Sequence, residues 1–231
     1  MTAVTFDYGQ TLAELDTDFL SLRVQERGAS VGRAALDAAS PAAWNEYDRV
    51  KREGQTGQSA WQAFMHALLS KAGTRVTTEP LDSIVGFLWS EQPKRNLWRR
   101  PIPGMKELAQ ELAGRGVPLA IVSNSEGHLD ALVHEVGFAE EFPVVADSGA
   151  LGFEKPDRRI FEWTAERLGV APDRFVHVGD VWAADVLGAL GVGARAIWVT
   201  EHASGRSLPD SVVACHGAAA IRATLAAWKI L

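Results

Sequence analysis

Three polar side chains stand where short apolar runs of the sequence stop. Asp7 follows Val4-Thr5-Phe6, Ser123 follows a run ending in Val122, and Asp180 follows a run ending in Gly179. A helix N-cap explains any one such residue. Three of them together favour a shared crevice, because ligands of open parallel sheets bind at the carboxyl ends of the strands.

Two carboxylates in one crevice would repel each other. If the strands before Asp7 and Asp180 are neighbours, either one carboxylate takes up a proton or a cation lies between them, and a site made only of oxygens suits Mg²⁺. Lys155 adds a positive charge, although a solvated loop lysine is the plainer explanation of this residue alone. A carboxylate, a hydroxyl, an ammonium and Mg²⁺ together are typical of phosphoryl transfer.

The elements that must position these residues alternate between helix and strand after residue 101. Apolar strands are predicted at 118–122, 175–178 and 196–199. Helices are predicted from Met105 to Gly114, from Pro156 to Gly169, with the proline in the first turn, and from Ala184 to Leu190. Such alternation predicts an α/β fold with a parallel sheet.

The span from about Leu15 to Trp98 has a different periodicity. Apolar residues recur at helical spacing, for example at Leu15, Phe19 and Leu22, and no convincing strand is found. We therefore expect an all-helical insert between two parts of the α/β core.

Length and composition exclude several classes of protein. The chain has 231 residues, a formal net charge of -6 and one cysteine, Cys215, which has no intramolecular partner. The negative charge argues against a nucleic-acid partner, and no apolar stretch is long enough to span a membrane. We expect a cytoplasmic protein, either a monomer or a homodimer.

Four motifs in order resemble those of the haloacid dehalogenase-like (HAD) hydrolases. They are Phe6-Asp7-Tyr8-Gly9-Gln10-Thr11-Leu12, Ile121-Val122-Ser123-Asn124, Lys155-Pro156-Asp157, and Val178-Gly179-Asp180 followed by Asp185. The resemblance implies a Rossmann-like, three-layer α/β/α core formed by residues 1–12 and 101–231. It also implies that residues 13–100 form a helical cap of the C1 type.

The resemblance also assigns roles to individual residues. Asp7 would attack the substrate, a small phosphorylated molecule, and form a covalent aspartyl intermediate. Mg²⁺ would be held by Asp7, the backbone carbonyl of Gly9 and Asp180, with Asp185 supporting the metal. Ser123 and Lys155 would bind the phosphoryl group, and the oxygen cradle would be completed by Asn124 and the backbone N–H groups of Tyr8 and Gly9, with Thr11 bracing the loop.

Gly9 departs from the family pattern. Phosphatases of the family carry a second aspartate there, which protonates the leaving group and then activates water. Its loss costs about 10²–10⁴-fold in rate. Three interpretations stay open: a Mg²⁺-dependent phosphatase for substrates with activated leaving groups, such as acyl phosphates or phosphoanhydrides, a dehalogenase-like hydrolase, or a binding or regulatory protein that has lost its chemistry.

Some further residues have two interpretations each. A substrate lining in the insert could use Trp44, Tyr47, Arg49, Arg52 and Trp61, although aromatic residues at this spacing are more often core. The basic run Lys94, Arg95, Arg99 and Arg100 could steer an anion or form a solvated surface. His177, inside a strand, is expected to be a core residue, whereas His128 is close enough to Ser123 in sequence to merit mutagenesis.

Overall fold

The computed structural model describes residues 1–55, 57–201 and 207–231, apart from the side chains of Asp48 and Arg52. The chain divides into two compact units. The first, here called the core unit, contains Met1–Glu14 and Trp98–Leu231. The second, here called the inserted unit, contains Leu15–Leu97.

A six-stranded sheet forms the middle of the core unit. The six strands are β1 (Ala3–Phe6), β6 (Leu119–Ser123), β7 (Val144–Asp147), β8 (Phe175–Gly179), β9 (Arg195–Val199) and β10 (Val212–Cys215). Their order in the sheet is β10-β9-β8-β1-β6-β7, and each neighbouring pair is parallel. The predicted parallel sheet is confirmed, but the sequence patterns missed two of its strands, β7 and β10.

Helices cover both faces of this sheet. Alternation along β1 sends Val4 and Phe6 into one apolar cluster and Ala3 into the other. The first cluster is closed by α5 (Met105–Gly114), α6 (Leu129–Glu135) and α10 (Ala218–Ala227). The second is closed by the short α7 (Ser148–Leu151) together with α8 (Arg158–Leu168) and α9 (Leu187–Gly191). The three-layer α/β/α expectation is therefore confirmed.

Two predicted helix starts need correction. The helix expected from Pro156 begins at Arg158, because the Asp157 side chain accepts a hydrogen bond from the Arg159 N–H and caps the helix there. The helix expected from Ala184 begins two residues earlier, as a π-helical turn over Trp182–Val186 that leads into α9.

The inserted unit is mainly helical, as expected. It contains α1 (Thr17–Gln25), α2 (Arg33–Arg52), α3 (Gly57–Lys71) and α4 (Leu81–Glu91). The expectation of no strand is wrong, since β3 (Ala29–Ser30) and β4 (Arg75–Val76) form an antiparallel ribbon. Two-residue strands are too short to leave a periodicity in the sequence. In the described part of the chain, no helix combines the length and apolarity needed to cross a membrane.

Two short strands mark the points where the chain leaves the core unit and returns to it. They are β2 (Ala13–Leu15) and β5 (Trp98–Pro101), which pair with each other. A backbone hydrogen bond of 2.9 Å from the Ile102 N–H to the Leu12 carbonyl continues this pairing. Both strands lie within the 13–100 span expected to be helical, so that expectation is wrong at its two ends.

Candidate active site

The carboxyl ends of three adjacent strands bring together the residues expected from the sequence. The central strand β1 pairs with β6 and β8, and Phe6 is in register with both Ile121 and Val178. Asp7, Ser123 and Asp180 therefore reach the same edge of the sheet. The expected adjacency of the strands before Asp7 and Asp180 is confirmed.

Lys155 lies at the centre of the polar cluster. Its Nζ is 2.6 Å from Asp7 Oδ1 and 2.6 Å from Asp185 Oδ1. The Ser123 hydroxyl donates to the same Asp7 oxygen at 2.9 Å. Lys155 is only 3% exposed, so the solvated-lysine interpretation is wrong. The Lys155 ammonium and the Ser123 hydroxyl thus both contact Asp7 Oδ1, and neither contacts Asp7 Oδ2.

Asp185 is held from three directions. Besides Lys155, its Oδ1 lies 3.1 Å from His177 Nε2, and its Oδ2 accepts the Val181 N–H at 2.8 Å. The other ring nitrogen of His177 is 2.9 Å from the Thr5 hydroxyl, so His177 is the satisfied core residue expected and also a support for Asp185. A Cβ at Gly179 would lie 2.3 Å from Asp185 Cγ, so this close approach requires glycine at position 179.

The charges in this cluster are unbalanced, because three carboxylates face one ammonium. Burial and the neighbouring carboxylates of Asp7 and Asp185 raise the pKa of Asp180 well above its usual range. Burial also raises the pKa of Asp7, against the opposing effect of Lys155. Although burial opposes ionisation, Lys155 and His177 hold the pKa of Asp185 below its usual range.

The same imbalance fits a divalent cation. Asp7, Asp180 and Asp185 can each offer a carboxylate oxygen, and these oxygens lie within 4.8 Å of one another. The Trp198 indole N–H donates to the backbone carbonyl of Asp180 at 2.9 Å, which anchors that residue without using its carboxylate. An oxygen-only donor set with two excess negative charges suits Mg²⁺.

The loop after Asp7 is tightly wound. The Tyr8 carbonyl accepts backbone hydrogen bonds from Leu12 and Ala13 at 2.9 and 3.0 Å. The side chains of Tyr8 and Thr11 are buried, and neither hydroxyl has a hydrogen-bond partner among the described residues. Burial raises the pKa of Tyr8 beyond the range in which it could ionise. Thr11 therefore supports the loop by packing, and any ligand contact by Tyr8 falls to its backbone.

Asn124 connects two loops of the site. Its side-chain amide donates to the Lys155 carbonyl at 3.0 Å and accepts the Lys155 N–H at 2.8 Å. This reciprocal pair fixes the backbone that carries the Lys155 ammonium. The Asn124 side chain thus has a structural partner. If Asn124 binds the oxygens of a phosphoryl group, it does so through its backbone N–H.

Asp147, at the end of β7, is an organising residue that the sequence interpretation missed. Its Oδ1 accepts from the Ser125 hydroxyl, the Gly127 N–H and the Gly149 N–H at 2.7, 3.0 and 2.9 Å. Its Oδ2 accepts the Leu129 N–H at 2.9 Å. The apolar run before Asp147 is the same signal that identified Asp7, so the rule of polar residues at strand ends could have found it.

We expect Asp147→Asn to loosen the loop after Ser123. Asparagine places an N–H₂ group against a donor whichever way it turns, so at least one buried donor loses its acceptor. The free energy of unfolding should fall by roughly 1–3 kcal/mol. Urea unfolding measures the loss, and amide hydrogen exchange at Gly127 and Leu129 should locate it in this loop. The exposed Asp210 provides the control Asp210→Asn, and equal stability of both variants would contradict the assignment.

Another carboxyl group lies in the same loop. Burial and the nearby Asp147 raise the pKa of Glu126 to about 7. His128, by contrast, is exposed at the start of α6. Of these two neighbours of Ser123 in sequence, Glu126 is the more buried.

The candidate lining residues of the inserted unit are mostly packed or paired. Trp44 and Tyr47 both contact the Phe64 ring, and Trp61 is buried. Arg49 is paired with one glutamate on its own helix and with the glutamate that follows the helix. The core interpretation is thus confirmed for Trp61, whereas Trp44 and Tyr47 are half-buried. The Arg52 side chain lies outside the described residues.

The basic run is also largely neutralised. Within the inserted unit, Arg95 pairs with Glu26 at 3.2 Å. Within the core unit, Arg100 pairs with Glu14 at 2.9 Å and Arg99 pairs with Glu135. Lys94 is exposed. An anion-steering role therefore has little support among the described contacts.

Carboxylates, a hydroxyl and an ammonium lie together at the carboxyl edge of this open parallel sheet. A hydrolytic α/β enzyme requires such groups at such a place. The model of the family described as "Hydrolase: haloacid dehalogenase-like hydrolase" matches residues 1–193. The chain therefore belongs to the haloacid dehalogenase-like hydrolases, and the resemblance of its four motifs is confirmed.

Individual relatives agree with this assignment. The chain is 30% identical over 205 residues to glyceraldehyde 3-phosphate phosphatase of Methanothermobacter thermautotrophicus, covering 87% of this chain and 86% of that protein. It is 30% identical over 146 residues to haloacid dehalogenase-like hydrolase domain-containing protein 3 of Bos taurus, and this match covers 63% of the chain and 57% of that relative. Phosphatases are thus among its relatives.

The fold has a close counterpart among solved structures. The putative HAD-hydrolase YfnB from Bacillus subtilis, bound to magnesium, matches with a TM-score of 0.67 and 19% sequence identity. The match covers 97% of this chain and 98% of that one. At this identity the likeness concerns the fold.

Proposed function

We propose that this hydrolase is a Mg²⁺-dependent phosphatase that acts on a small phosphorylated metabolite through an aspartyl-phosphate at Asp7. The observation that carries the proposal is the Asp7 carboxylate, which is flanked by the Ser123 hydroxyl and the Lys155 ammonium on the same oxygen. The similarity to glyceraldehyde 3-phosphate phosphatase supports the same substrate class.

The residues of the cluster divide the chemistry among them. Asp7 Oδ2 attacks phosphorus, the bond from phosphorus to the leaving oxygen breaks, and water later releases phosphate from the aspartyl-phosphate. Lys155 and Ser123 bind phosphoryl oxygens and orient Asp7 through its other oxygen. Asp185 and His177 hold Lys155 in place. Mg²⁺, held by Asp7, the Gly9 carbonyl and Asp180 with Asp185 behind them, would supply electrostatic stabilisation of the transferring group.

Gly9 limits which leaving groups can depart. It has no side chain to donate a proton, so substrates with weakly basic leaving groups, such as acyl or aryl phosphates, are favoured. We assign substrate selection to residues 13–100 as a cap, on the basis of the family's domain organisation. A reducing compartment suits the single cysteine, and we place the enzyme in the cytoplasm.

A substrate panel with and without Mg²⁺ tests the proposal. We expect Mg²⁺-dependent release of phosphate from acetyl phosphate and p-nitrophenyl phosphate, and turnover of glycerol phosphate that is about 10²-fold slower or worse. Metal-independent release of chloride from 2-chloropropionate would instead support a dehalogenase. If no compound in the panel releases phosphate, the phosphatase assignment is contradicted.

We expect Gly9→Asp to raise turnover of glycerol phosphate by restoring a group that can transfer protons. A Cβ at this position would be 3.5 Å from its nearest neighbour, an ordinary contact, so the substitution can be accommodated. The gain should be about tenfold or more, below the full 10²–10⁴-fold value of a well-placed acid. Gly9→Ala, which adds the Cβ without the carboxylate, is the control. If a folded Gly9→Asp variant hydrolyses glycerol phosphate no faster than Gly9→Ala does, the hypothesis that wild-type turnover is limited by the missing general acid is contradicted.

A further inference from the structure

The vacant side-chain position at Gly9 faces an aromatic ring. A Cβ at Gly9 would lie 3.5 Å from Cδ1 and 3.8 Å from Nε1 of Trp98. These two atoms form the pyrrole edge of the indole. Among the described residues, apart from the chain neighbours of Gly9, no other atom lies within 4 Å of that position. Trp98 thus borders the place two residues beyond the candidate nucleophile.

Both residues are fixed by one small sheet. Gly9 forms an isolated bridge with Ala13, the first residue of β2, and Trp98 is the first residue of the paired strand β5. The Trp98 indole is half-buried and packs against the apolar cluster that contains Tyr8 and Leu12. The ring is therefore held beside Gly9 and is not fully buried.

The indole differs chemically from the carboxylate that phosphatases of the family carry at position 9. Its N–H is only a hydrogen-bond donor and does not ionise in the physiological range, so it provides neither a general acid nor a general base. Its ring provides a flat apolar surface, and contacts between such rings contribute to binding beyond the area that they bury. A weakly basic leaving group needs no proton, and an aromatic one would also gain this contact.

We propose that Trp98 is a specificity-determining residue that selects phosphorylated substrates with an aromatic leaving group. The proposal rests on the proposed function, in which the leaving group lies on the side of Gly9, where phosphatases of the family carry their proton-donating aspartate. Trp98 provides the apolar contact there, in place of a proton donor. The substrate class is accordingly aryl phosphates and aromatic acyl phosphates.

Binding of two non-hydrolysable phosphonates tests the contact without turnover. Calorimetry with Mg²⁺ should show that phenylphosphonate binds the wild type roughly threefold to tenfold more tightly than methylphosphonate, the range typical of one aromatic contact. Trp98→Leu should abolish this ratio, and Trp98→Phe should retain part of it. Trp163, half-buried on α8 under the Arg167 guanidinium, supplies the matched control Trp163→Leu, which should keep the ratio.

The outcomes separate this inference from the proposed function. An equal affinity for both phosphonates in the wild type, or a ratio unchanged in a folded Trp98→Leu variant, would overturn the role of Trp98. The proposed function fails on a different result, namely the absence of phosphate release from the substrate panel. Kinetics provide a second measurement: Trp98→Phe should raise the KM for p-nitrophenyl phosphate by more than the KM for acetyl phosphate, and an equal change in both would count against selection by Trp98.

Discussion

Replacing Asp7 by asparagine is expected to lower kcat/KM for aryl and acyl phosphates by about 10⁴-fold or more, since removal of a covalent nucleophile typically has effects of this size or larger. The amide oxygen can still accept from Ser123 and Lys155, so the geometry of the cluster should be kept. The measurement is steady-state hydrolysis with Mg²⁺. Substantial residual turnover that is reproduced with a second, independent preparation of the variant would falsify the nucleophile assignment.

The same substitution should leave the fold intact. Burial raises the pKa of Asp7, which means that the folded protein favours the neutral form of this group. A neutral amide should therefore unfold at the same urea concentration as the wild type, or at a higher one. Unchanged stability of the variant would show that its loss of activity is not caused by unfolding. A gain in stability at the expense of activity is common where a charge is buried for function.

Asp157→Asn is the matched control for Asp7→Asn. Asp157 caps α8 and pairs with Arg159 on the surface, close in sequence to Lys155 but outside the polar cluster. Asparagine caps helices about as well as aspartate. Exposed ion pairs contribute only about 0–1 kcal/mol, so both activity and stability should stay near those of the wild type.

Replacing Lys155 by methionine should remove both activity and stability. The variant leaves the carboxylates of Asp7 and Asp185 facing each other without the ammonium that contacts both at 2.6 Å. Removing one partner from a buried ion pair typically costs about 3–5 kcal/mol, and we expect a loss of that size in the free energy of unfolding. Urea denaturation measures it, with the exposed Lys94 replaced by methionine as the control.

Two further measurements test the cause of this destabilisation. Lys155→Met combined with Asp185→Asn should lose less than the sum of the two single losses, because the second substitution removes one of the carboxylates left unpaired. Added Mg²⁺ should recover part of the stability of Lys155→Met, since a bound cation would compensate the excess negative charge. Simple additivity together with indifference to Mg²⁺ would show that Lys155 stabilises the fold by packing rather than by charge.

Much of the candidate site could be predicted because strand ends are a local pattern. An apolar run that stops at a polar residue identified Asp7, Ser123 and Asp180 without any knowledge of packing, and the order of the motifs added Lys155 and Asp185. The same rule applies to Asp147, but the run at 144–146 is too short to predict a strand by itself. The predicted absence of strands between 15 and 98 was wrong where pairing involved only two residues on each strand.

The contacts that give the site its properties depend on residues far apart in the chain. The burial of Lys155 between two carboxylates, the support of Asp185 by His177, and the ring of Trp98 beside Gly9 all follow from strand order, register and one π-helical turn. Sequence patterns report which residues are buried and with what period. They do not report which buried groups meet, because that depends on how distant segments pack together. The missing side chain at Gly9 was visible in the sequence, whereas its aromatic neighbour 89 positions later became visible only in the folded chain.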